Sequence, residues 1–221
     1  MESPLRNRVP HGTRLIETFG WSPSNGAPLL SDHLERMRRS AASLGFPYDE
    51  ARAKDAIEIS SPHALRCRLT LGEDGDFEFS TSNLGPAVGR WTVKFATQRL
   101  QSGDPWLRHK TTMRDIYDAA RANLPAGVDE RLFINEKGEL CEGTITNLFV
   151  ETAHGAHLTP ALSSGLLPGI LRKSLIADGW NEAVMTPDIL ETARNIWMGN
   201  ALRGLIPVVV LDASGKPFGS A

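Results

Sequence analysis

The hydrophobic repeat of this chain changes its period before residue 80, and this change restricts the fold more than any other feature of the sequence. Apolar side chains first recur every three or four residues, which predicts a helix that begins at Ser31 or Asp32 and ends at Gly45. From Leu65 onwards they alternate with polar side chains, which predicts a β-hairpin around the turn Glu73–Asp76. The fold must therefore combine helices with a sheet.

The second half of the chain is predicted to be rich in strands, because short apolar runs alternate there with turn residues. Further strands are predicted at 91–96, 132–134, 140–150, 183–186, 195–198 and 206–211, and further helices at 49–59, 111–122 and 168–177. The polar segment Gln98–Pro105 is a candidate interdomain linker. We expect an α+β protein with a smaller α/β domain over residues 1–100 and a larger, barrel-like domain over residues 101–221.

The composition argues against several classes of protein. The chain has 221 residues, and its 24 Lys and Arg against 26 Asp and Glu argue against nucleic acid as a partner. No apolar run approaches the ~20 residues of a membrane-spanning helix, and the first ten residues lack the apolar core of a secretory signal. Cys67 and Cys141 lie in apolar segments, which predicts two free, buried thiols in a reducing cytoplasm.

Common nucleotide-binding and metal-binding signatures are missing from the sequence. It contains neither G-x-x-x-x-G-K-[ST] nor G-x-G-x-x-G, and neither C-x-x-C nor H-E-x-x-H. His154 and His157 lie three residues apart and could reach a metal ion. A solvated turn explains them more simply, because no cysteine or carboxylate set accompanies them. We therefore expect no metal site.

Three segments carry the residues that could perform chemistry. Lys110 stands in Arg108–Thr112, and Glu142 stands in the largely apolar stretch Glu139–Phe149. A tight turn at Gly165–Gly169 then leads into a helix, whose free N–H groups and positive dipole end favour a phosphate. Taken singly, Lys110 is more simply a solvated charge and Glu142 a charge at the end of a strand.

Together these segments resemble the class IV aminotransferases, the fold type IV family of pyridoxal-phosphate (PLP) enzymes, from about Gly12 to Val210. The resemblance implies that PLP is the cofactor, that Lys110 forms the internal Schiff base with it, and that Glu142 pairs with its pyridine nitrogen. It implies an N-terminus that is shortened relative to the family. It also implies a phosphate site made of Gly169, Ile170 and Leu171 in the turn, Arg36 on the first helix, and Asn200 and Ala201 in a second loop.

These residue types suit the chemistry that the resemblance implies. A lysine amine is a nucleophile only when unprotonated, which burial favours. A carboxylate beside the pyridine nitrogen keeps that nitrogen protonated, so that the ring withdraws electrons. An arginine can bind a phosphate through two parallel hydrogen bonds, although Arg36 by itself would be placed on a solvated, charged helix face. Asn147 is not assigned to the cofactor.

Two details favour one branch of the family. His109–Thr112 and Asn200–Leu202 resemble the 4-amino-4-deoxychorismate lyases, whereas branched-chain aminotransferases commonly have a threonine where this chain has Ala201. Those aminotransferases also have a tyrosine five residues after the lysine, where Asp115 stands here, with Tyr117 two residues further on. The resemblance therefore implies a lyase that releases pyruvate and 4-aminobenzoate, in folate biosynthesis.

Two other functions stay open at this point. One is an aminotransferase for branched-chain or other small amino acids, in which Lys110 would return to the cofactor the proton that it removes as general base. The other is a non-catalytic relative that binds a ligand without turnover. The family implies a small-molecule amine as substrate and a homodimer, and the candidates for binding a substrate carboxylate are Arg66, Arg68, Arg108 and Arg203.

Overall fold

The computed structural model describes residues 5, 8–86 and 89–218, and these residues divide into two compact units. The smaller unit contains the described residues up to Pro86 together with His109–Met113, and the larger unit contains the others. The prediction that the chain lacks a secretory signal rests on its first ten residues. Six of these ten lie outside the described residues.

Within its described residues, the smaller unit is an antiparallel sheet of three strands with two helices. Its elements are, in chain order, β1 (Leu15–Trp21), α1 (Leu30–Leu44), α2 (Glu50–Asp55), β2 (Leu65–Leu71) and β3 (Phe77–Asn83). Strand β2 lies between β1 and β3, and α1 packs against β1. Gly45 ends α1 in the left-handed region at φ 79°, which glycine adopts without strain. The predicted first helix and hairpin are confirmed.

The larger unit is built around a closed barrel. Its elements are β4 (Trp91–Phe95), α3 (Asp115–Ala122), β5 (Glu130–Ile134), β6 (Leu140–Gly143), β7 (Asn147–Glu151), β8 (His157–Pro160), α4 (Ile170–Ala177), β9 (Asn181–Ala183), α5 (Ile189–Thr192), β10 (Asn195–Asn200) and β11 (Gly204–Leu211). The order β10-β11-β4-β5-β6-β7 closes on itself because β10 also pairs with β7. The predicted α+β fold with a barrel-like second domain is confirmed.

Apolar side chains from these strands form the core of the larger unit. Almost no solvent reaches the side chains of Val93, Leu132, Leu148, Met198 and Val210. Burial of aliphatic side chains is the main favourable contribution to the stability of such a unit. The strands of the barrel are thereby held rigidly, and residues at their ends are fixed in place.

The two units divide the chain differently from the predicted boundary at residue 100. Strand β4 pairs with β5 and β11, which places it in the larger unit. The predicted linker belongs to the same unit, since Leu100 is buried and its N–H donates to the Ile134 carbonyl. Lys110 belongs to the smaller unit, because its carbonyl accepts the N–H of Ile16 in β1 at 2.8 Å.

Other differences concern short or irregular elements. The periodicity does not predict β1, because the buried Glu17 interrupts its apolar pattern. The predicted helix at 111–122 begins only at Asp115, because Thr111 bridges to β1. Strand β8 and helix α5 are not predicted, and β9 lies two residues before its predicted start.

Cys67 and Cys141 are both free and buried, as predicted. Along the described stretches of the chain, every helix is too short or too polar to cross a membrane.

Candidate active site

A buried carboxylate anchors the turn between β6 and β7. Glu130, at the start of β5, is fully buried and accepts hydrogen bonds from the Thr144 N–H at 3.1 Å and the Thr144 hydroxyl at 2.6 Å. It also accepts from the Ile145 N–H at 3.3 Å and the Thr146 hydroxyl at 3.2 Å. A carboxylate that replaces its water with several donors stabilises the loop that supplies them. The turn is thereby fixed, together with the residues at its two ends.

Glu142 and Asn147 lie at those two ends and face each other across the turn. They are opposed in the pairing of β6 with β7, and each is 5% exposed. The Tyr117 hydroxyl donates to Glu142 Oε1 at 2.7 Å, and Asn147 Nδ2 lies 3.4 Å from Glu142 Oε2. Asn147 Nδ2 also donates to the Leu167 carbonyl at 3.1 Å. Glu142 thus offers a buried acceptor whose orientation is set by its neighbours.

The glycine turn that the sequence assigns to phosphate lies beside this pair. Gly169 immediately precedes α4, and a Cβ at this position would lie 1.9 Å from Asn147 Oδ1. No side chain caps the first turn of α4, so the N–H groups at its start are available to an anion. Ile170 is buried, and a side-chain carbon of Leu171 lies 2.9 Å from where a Cβ of Gly199 would be.

The second predicted loop approaches the same region of the larger unit. Asn200 Nδ2 donates to the Ile145 carbonyl at 3.1 Å, which ties the end of β10 to the turn between β6 and β7. Asn200 Oδ1 accepts the N–H groups of Leu202 at 3.1 Å and Arg203 at 3.0 Å. Ala201, between them, contributes a half-buried methyl group. The structure therefore brings together Glu142, Gly169, Ile170, Leu171, Asn200 and Ala201.

In the smaller unit, Arg36 belongs to a buried network of charged and polar side chains. Its Nε donates to Glu17 Oε1 at 2.9 Å and its Nη2 donates to Glu17 Oε2 at 2.6 Å. His33 Nδ1 lies 2.5 Å from the same Oε2, and all three residues are at most 5% exposed. The expectation that Arg36 alone would be solvated is wrong, because β1 supplies a carboxylate partner under α1.

The carboxyl of Glu17 is held in its ionised form by this network. Burial alone would raise its pKa, but the positive charge of Arg36 and hydrogen bonds from His33 and Arg36 lower it from 4.5 to about 2. Sequence reasoning missed this residue as a structural anchor. The signal that could have found it is a lone acidic residue between Ile16 and Phe19 in an otherwise apolar segment.

Lys110 lies in a short extended segment at the edge of the sheet of the smaller unit. Beside it, Thr111 bridges to Leu15 of β1, and His109 Nδ1 lies 3.0 Å from the Ser40 hydroxyl on α1. Lys110 itself is half-buried. Pairing on both sides of the lysine fixes its backbone, as positioning of a reactive amine requires.

The four arginines proposed for substrate carboxylates lie in different surroundings. Arg66 and Arg68 are half-buried on β2, and Arg203 is exposed in the loop after β10. Arg108 is half-buried and makes no hydrogen bond or ion pair with the described residues. Burial and the positive charge of Arg172 lower the pKa of its guanidinium, while Glu142 and Glu182 act in the opposite direction.

The two histidines weighed as metal ligands lie near the turn between β7 and β8. His157 stacks on Trp180 with 4.6 Å between ring centroids. Across the described ranges, no group of three or more His, Cys, Asp or Glu side chains could hold a metal ion.

The side chains of the larger unit fit a planar cofactor that has a basic ring nitrogen and a phosphate. The buried Glu142 is an acceptor for a protonated ring nitrogen. The absence of a Cβ at Gly169 lets the Asn147 side chain approach the backbone closely, at the uncapped start of a helix whose N–H groups can bind a phosphate. PLP presents this combination of groups.

Comparisons with known proteins agree with this chemistry. A model of the family described as amino-transferase class IV matches residues 14–211. A Schizosaccharomyces pombe protein provisionally named aminodeoxychorismate lyase is 26% identical over 195 residues, which are 83% of this chain and 84% of the relative. A crystal structure from Mesorhizobium loti, provisionally named an amino-acid aminotransferase, is 40% identical with a TM-score of 0.85, and the match covers 90% of this chain and 100% of the other.

A more distant solved structure carries the cofactor. It is the PLP-bound form of a hypothetical aminotransferase from Mycobacterium tuberculosis, 20% identical with a TM-score of 0.76. The match covers 93% of this chain and 82% of that one, and at this identity it shows a shared fold.

Replacing Glu17 by Gln should destabilise the protein strongly at neutral pH, because Arg36 would remain buried without its counter-charge. We expect a loss of about 3–5 kcal/mol in the free energy of unfolding, measured by urea denaturation at pH 7. Since the pKa of Glu17 is lowered on folding, its contribution is present above about pH 4.5 and is lost as the pH falls towards about 2. The difference between wild type and variant should therefore shrink over this acidic range.

The control is Glu50→Gln, which removes an exposed carboxylate paired with Lys54 on α2. This substitution should leave the free energy of unfolding nearly unchanged, because exposed ion pairs contribute little. Equal effects of the two substitutions at pH 7 would contradict the assigned role of Glu17.

Proposed function

We propose that this chain, which belongs to the class IV aminotransferase family, is a PLP-dependent 4-amino-4-deoxychorismate lyase. Such an enzyme releases pyruvate and 4-aminobenzoate. The family depends on PLP, and matching relatives are named as lyases or aminotransferases. The binding of PLP by this chain, the lyase reaction, the residue roles below, a homodimer and a cytoplasmic location are parts of the proposal.

The chemistry is assigned to Lys110 and Glu142. Bound PLP supplies an electrophilic aldehyde carbon and a ring that withdraws electrons from the reacting bond. The Lys110 amine would hold the cofactor, and as a free amine it would act as general base towards the carbon that bears the substrate amine. The Glu142 carboxylate pairs with the ring nitrogen, in a site where burial strengthens the interaction.

The phosphate is assigned to the start of α4 and to the loop after β10. The N–H groups around Gly169, Ile170 and Leu171 provide donors at the positive end of the helix. Asn200 and Ala201 follow in the second loop. Arg36 keeps its assignment from the family resemblance alone, since two of its guanidinium nitrogens already donate to Glu17.

The observation that favours the lyase is the geometry of the loop after β10. The Asn200 amide bonds to Ile145, Leu202 and Arg203, so that it holds the loop. Ala201 then offers no hydroxyl at the position where branched-chain aminotransferases commonly have a threonine. An Asn-Ala-Leu loop of this kind resembles the lyase branch.

The second candidate is an aminotransferase for branched-chain or other small amino acids. It is favoured by the relative of 40% identity, which is named as an amino-acid aminotransferase. Both reactions need a lysine that removes a proton, so Lys110 and Glu142 serve either. They differ in what would follow proton removal: in a lyase the pyruvate-forming side chain would leave the substrate, whereas in an aminotransferase Lys110 would give the proton back at a different carbon.

Arg108 is the arginine that best suits a substrate carboxylate. It is half-buried without a hydrogen bond or ion pair to the described residues, and a buried polar group of this kind gains from a direct partner. Arg66 also lacks such a partner, but Arg108 lies close enough to Glu142 for their charges to interact. A carboxylate ligand would supply a direct, charge-assisted hydrogen-bonding partner.

Purified protein given 4-amino-4-deoxychorismate should release pyruvate, and with branched-chain amino acids and 2-oxoglutarate it should exchange no keto acid. Lys110→Ala should lower turnover by about 10²-fold or more, because the general base is lost. The control is Lys137→Ala, an exposed lysine in the turn between β5 and β6. Exchange of keto acids without pyruvate release would favour the aminotransferase. Turnover unaffected by Lys110→Ala would contradict the role of Lys110 in both enzymes, and absence of turnover with either substrate would favour a non-catalytic binder.

Arg108→Ala should raise the KM for 4-amino-4-deoxychorismate by about 10- to 100-fold, since one charge-assisted contact is removed. The affinity for PLP should not change, and the exposed Arg52→Ala on α2 should have no effect on either quantity. Weaker PLP binding with unchanged binding of pyridoxal would instead place Arg108 at the phosphate and contradict the carboxylate role.

A further inference from the structure

A single phenol bonds directly to the carboxylate assigned to the ring nitrogen. Tyr117 is the third residue of α3, and its hydroxyl donates to Glu142 Oε1 at 2.7 Å. The two residues lie 25 positions apart in the sequence. They meet because α3 packs against β5, and β5 pairs with β6, which carries Glu142.

The phenol ring is held on more than one side. Its edge-on partner is Phe133 in β5, at 5.2 Å between ring centroids. The guanidinium carbon of Arg114 lies 5.6 Å from the centre of the ring. Arg114 is itself fixed by Asp118 at 2.7 Å and by the Thr144 carbonyl at 2.9 Å. Rotation of Tyr117 away from Glu142 would therefore disrupt several contacts at once.

The hydroxyl can act only as a hydrogen-bond donor towards Glu142. Burial raises the pKa of Tyr117 well above its usual value, and the negative charge of Glu142 and the hydrogen bond raise it further. A phenol of this kind keeps its proton throughout the working pH range. Proton transfer by Tyr117 is therefore disfavoured, and its hydroxyl stays a hydrogen-bond donor to Glu142.

We propose that Tyr117 is a positioning residue whose hydroxyl holds the Glu142 carboxylate in one orientation and in its ionised form, ready to pair with the ring nitrogen of PLP. This inference rests on the proposed function. A hydroxyl that donates to a carboxylate stabilises the ionised form over the protonated one. The contact from Asn147 Nδ2 to the other carboxylate oxygen of Glu142 is 3.4 Å long, compared with 2.7 Å for the bond from Tyr117.

The test removes the hydroxyl and keeps the ring. Tyr117→Phe should weaken the binding of PLP to the apoprotein by about tenfold, measured by quenching of tryptophan fluorescence. It should raise the pH at which the visible absorption band of bound PLP changes, because a ring nitrogen that is less firmly protonated withdraws fewer electrons. It should lower kcat more than it changes KM.

The matched control is Tyr48→Phe, since the chain has two tyrosines. The Tyr48 hydroxyl belongs to the smaller unit and donates to the Leu34 carbonyl at 3.3 Å. Its removal should change neither PLP affinity nor the pH profile. A double-mutant cycle with Glu142→Gln completes the design: the effect of Tyr117→Phe on PLP affinity should largely disappear in that background, because the carboxylate it acts on is gone.

The outcomes separate this inference from the proposed function. Wild-type protein that neither binds PLP nor shows its visible band would overturn the proposed function. Wild-type protein that binds PLP, with Tyr117→Phe indistinguishable from it in affinity and pH profile, would overturn only the role of Tyr117. Effects of Tyr117→Phe that persist in full beside Glu142→Gln would also overturn it, since the phenol would then act independently of the carboxylate.

A second measurement remains decisive if Tyr117→Phe does not fold. Growth of the Tyr48→Phe variant on 3-fluorotyrosine labels position 117 alone, because the chain has two tyrosines. Fluorine makes the phenol a stronger donor without removing it, so the pH profile of bound PLP should shift in the direction opposite to that expected for Tyr117→Phe. An unchanged profile would contradict the proposal.

Discussion

The pairing of β10 with both β11 and β7 is the constraint on which the site in the larger unit depends. Without the β7–β10 pairing, the larger unit would be an open sheet, and the ends of β6, β7 and β10 would not be fixed side by side. Closure places the Asn200 amide against the Ile145 carbonyl, in the turn that separates Glu142 from Asn147. A closed barrel also leaves no free edge along these strands, so their ends are the places left for binding.

Three buried carboxylates have different roles that follow from their partners. Glu130 accepts from several hydroxyl and N–H groups of one turn, which suits a loop anchor. It also accepts from the Arg131 N–H at 2.9 Å and lies 3.9 Å from a guanidinium nitrogen of Arg121. Glu17 is neutralised by Arg36 and therefore stabilises the smaller unit while it remains charged. Glu142 accepts a hydrogen bond from the Tyr117 hydroxyl and lies 3.4 Å from the Asn147 amide nitrogen, so that neutral donors help to set its orientation. The family resemblance assigns Glu142 to the ring nitrogen, and its buried position suits that role.

The parts of the structure that local pattern determines could be predicted, and the parts that depend on distant contacts could not. Helix α1 and the hairpin of β2 and β3 follow from residues a few positions apart, so their periodicity sufficed. Strand β1 was not predicted, because its buried Glu17 interrupts the apolar pattern and is compensated by Arg36 on α1, which lies far away in the sequence. Lys110 and Glu142 were selected through a family resemblance, and their roles stay predictions. The bond from Tyr117 to Glu142 had no sequence signal, since it depends on how α3 lies against the barrel.

The most direct test of the account is to locate the bound cofactor in the chain. Purified protein loaded with PLP would be reduced with borohydride, digested with trypsin and analysed by mass spectrometry. We expect the reduced cofactor to be attached to Lys110, in the peptide from His109 to Arg114, because a modified Lys110 is no longer a cleavage site. Attachment to a different lysine, or no attachment although PLP is bound, would contradict it.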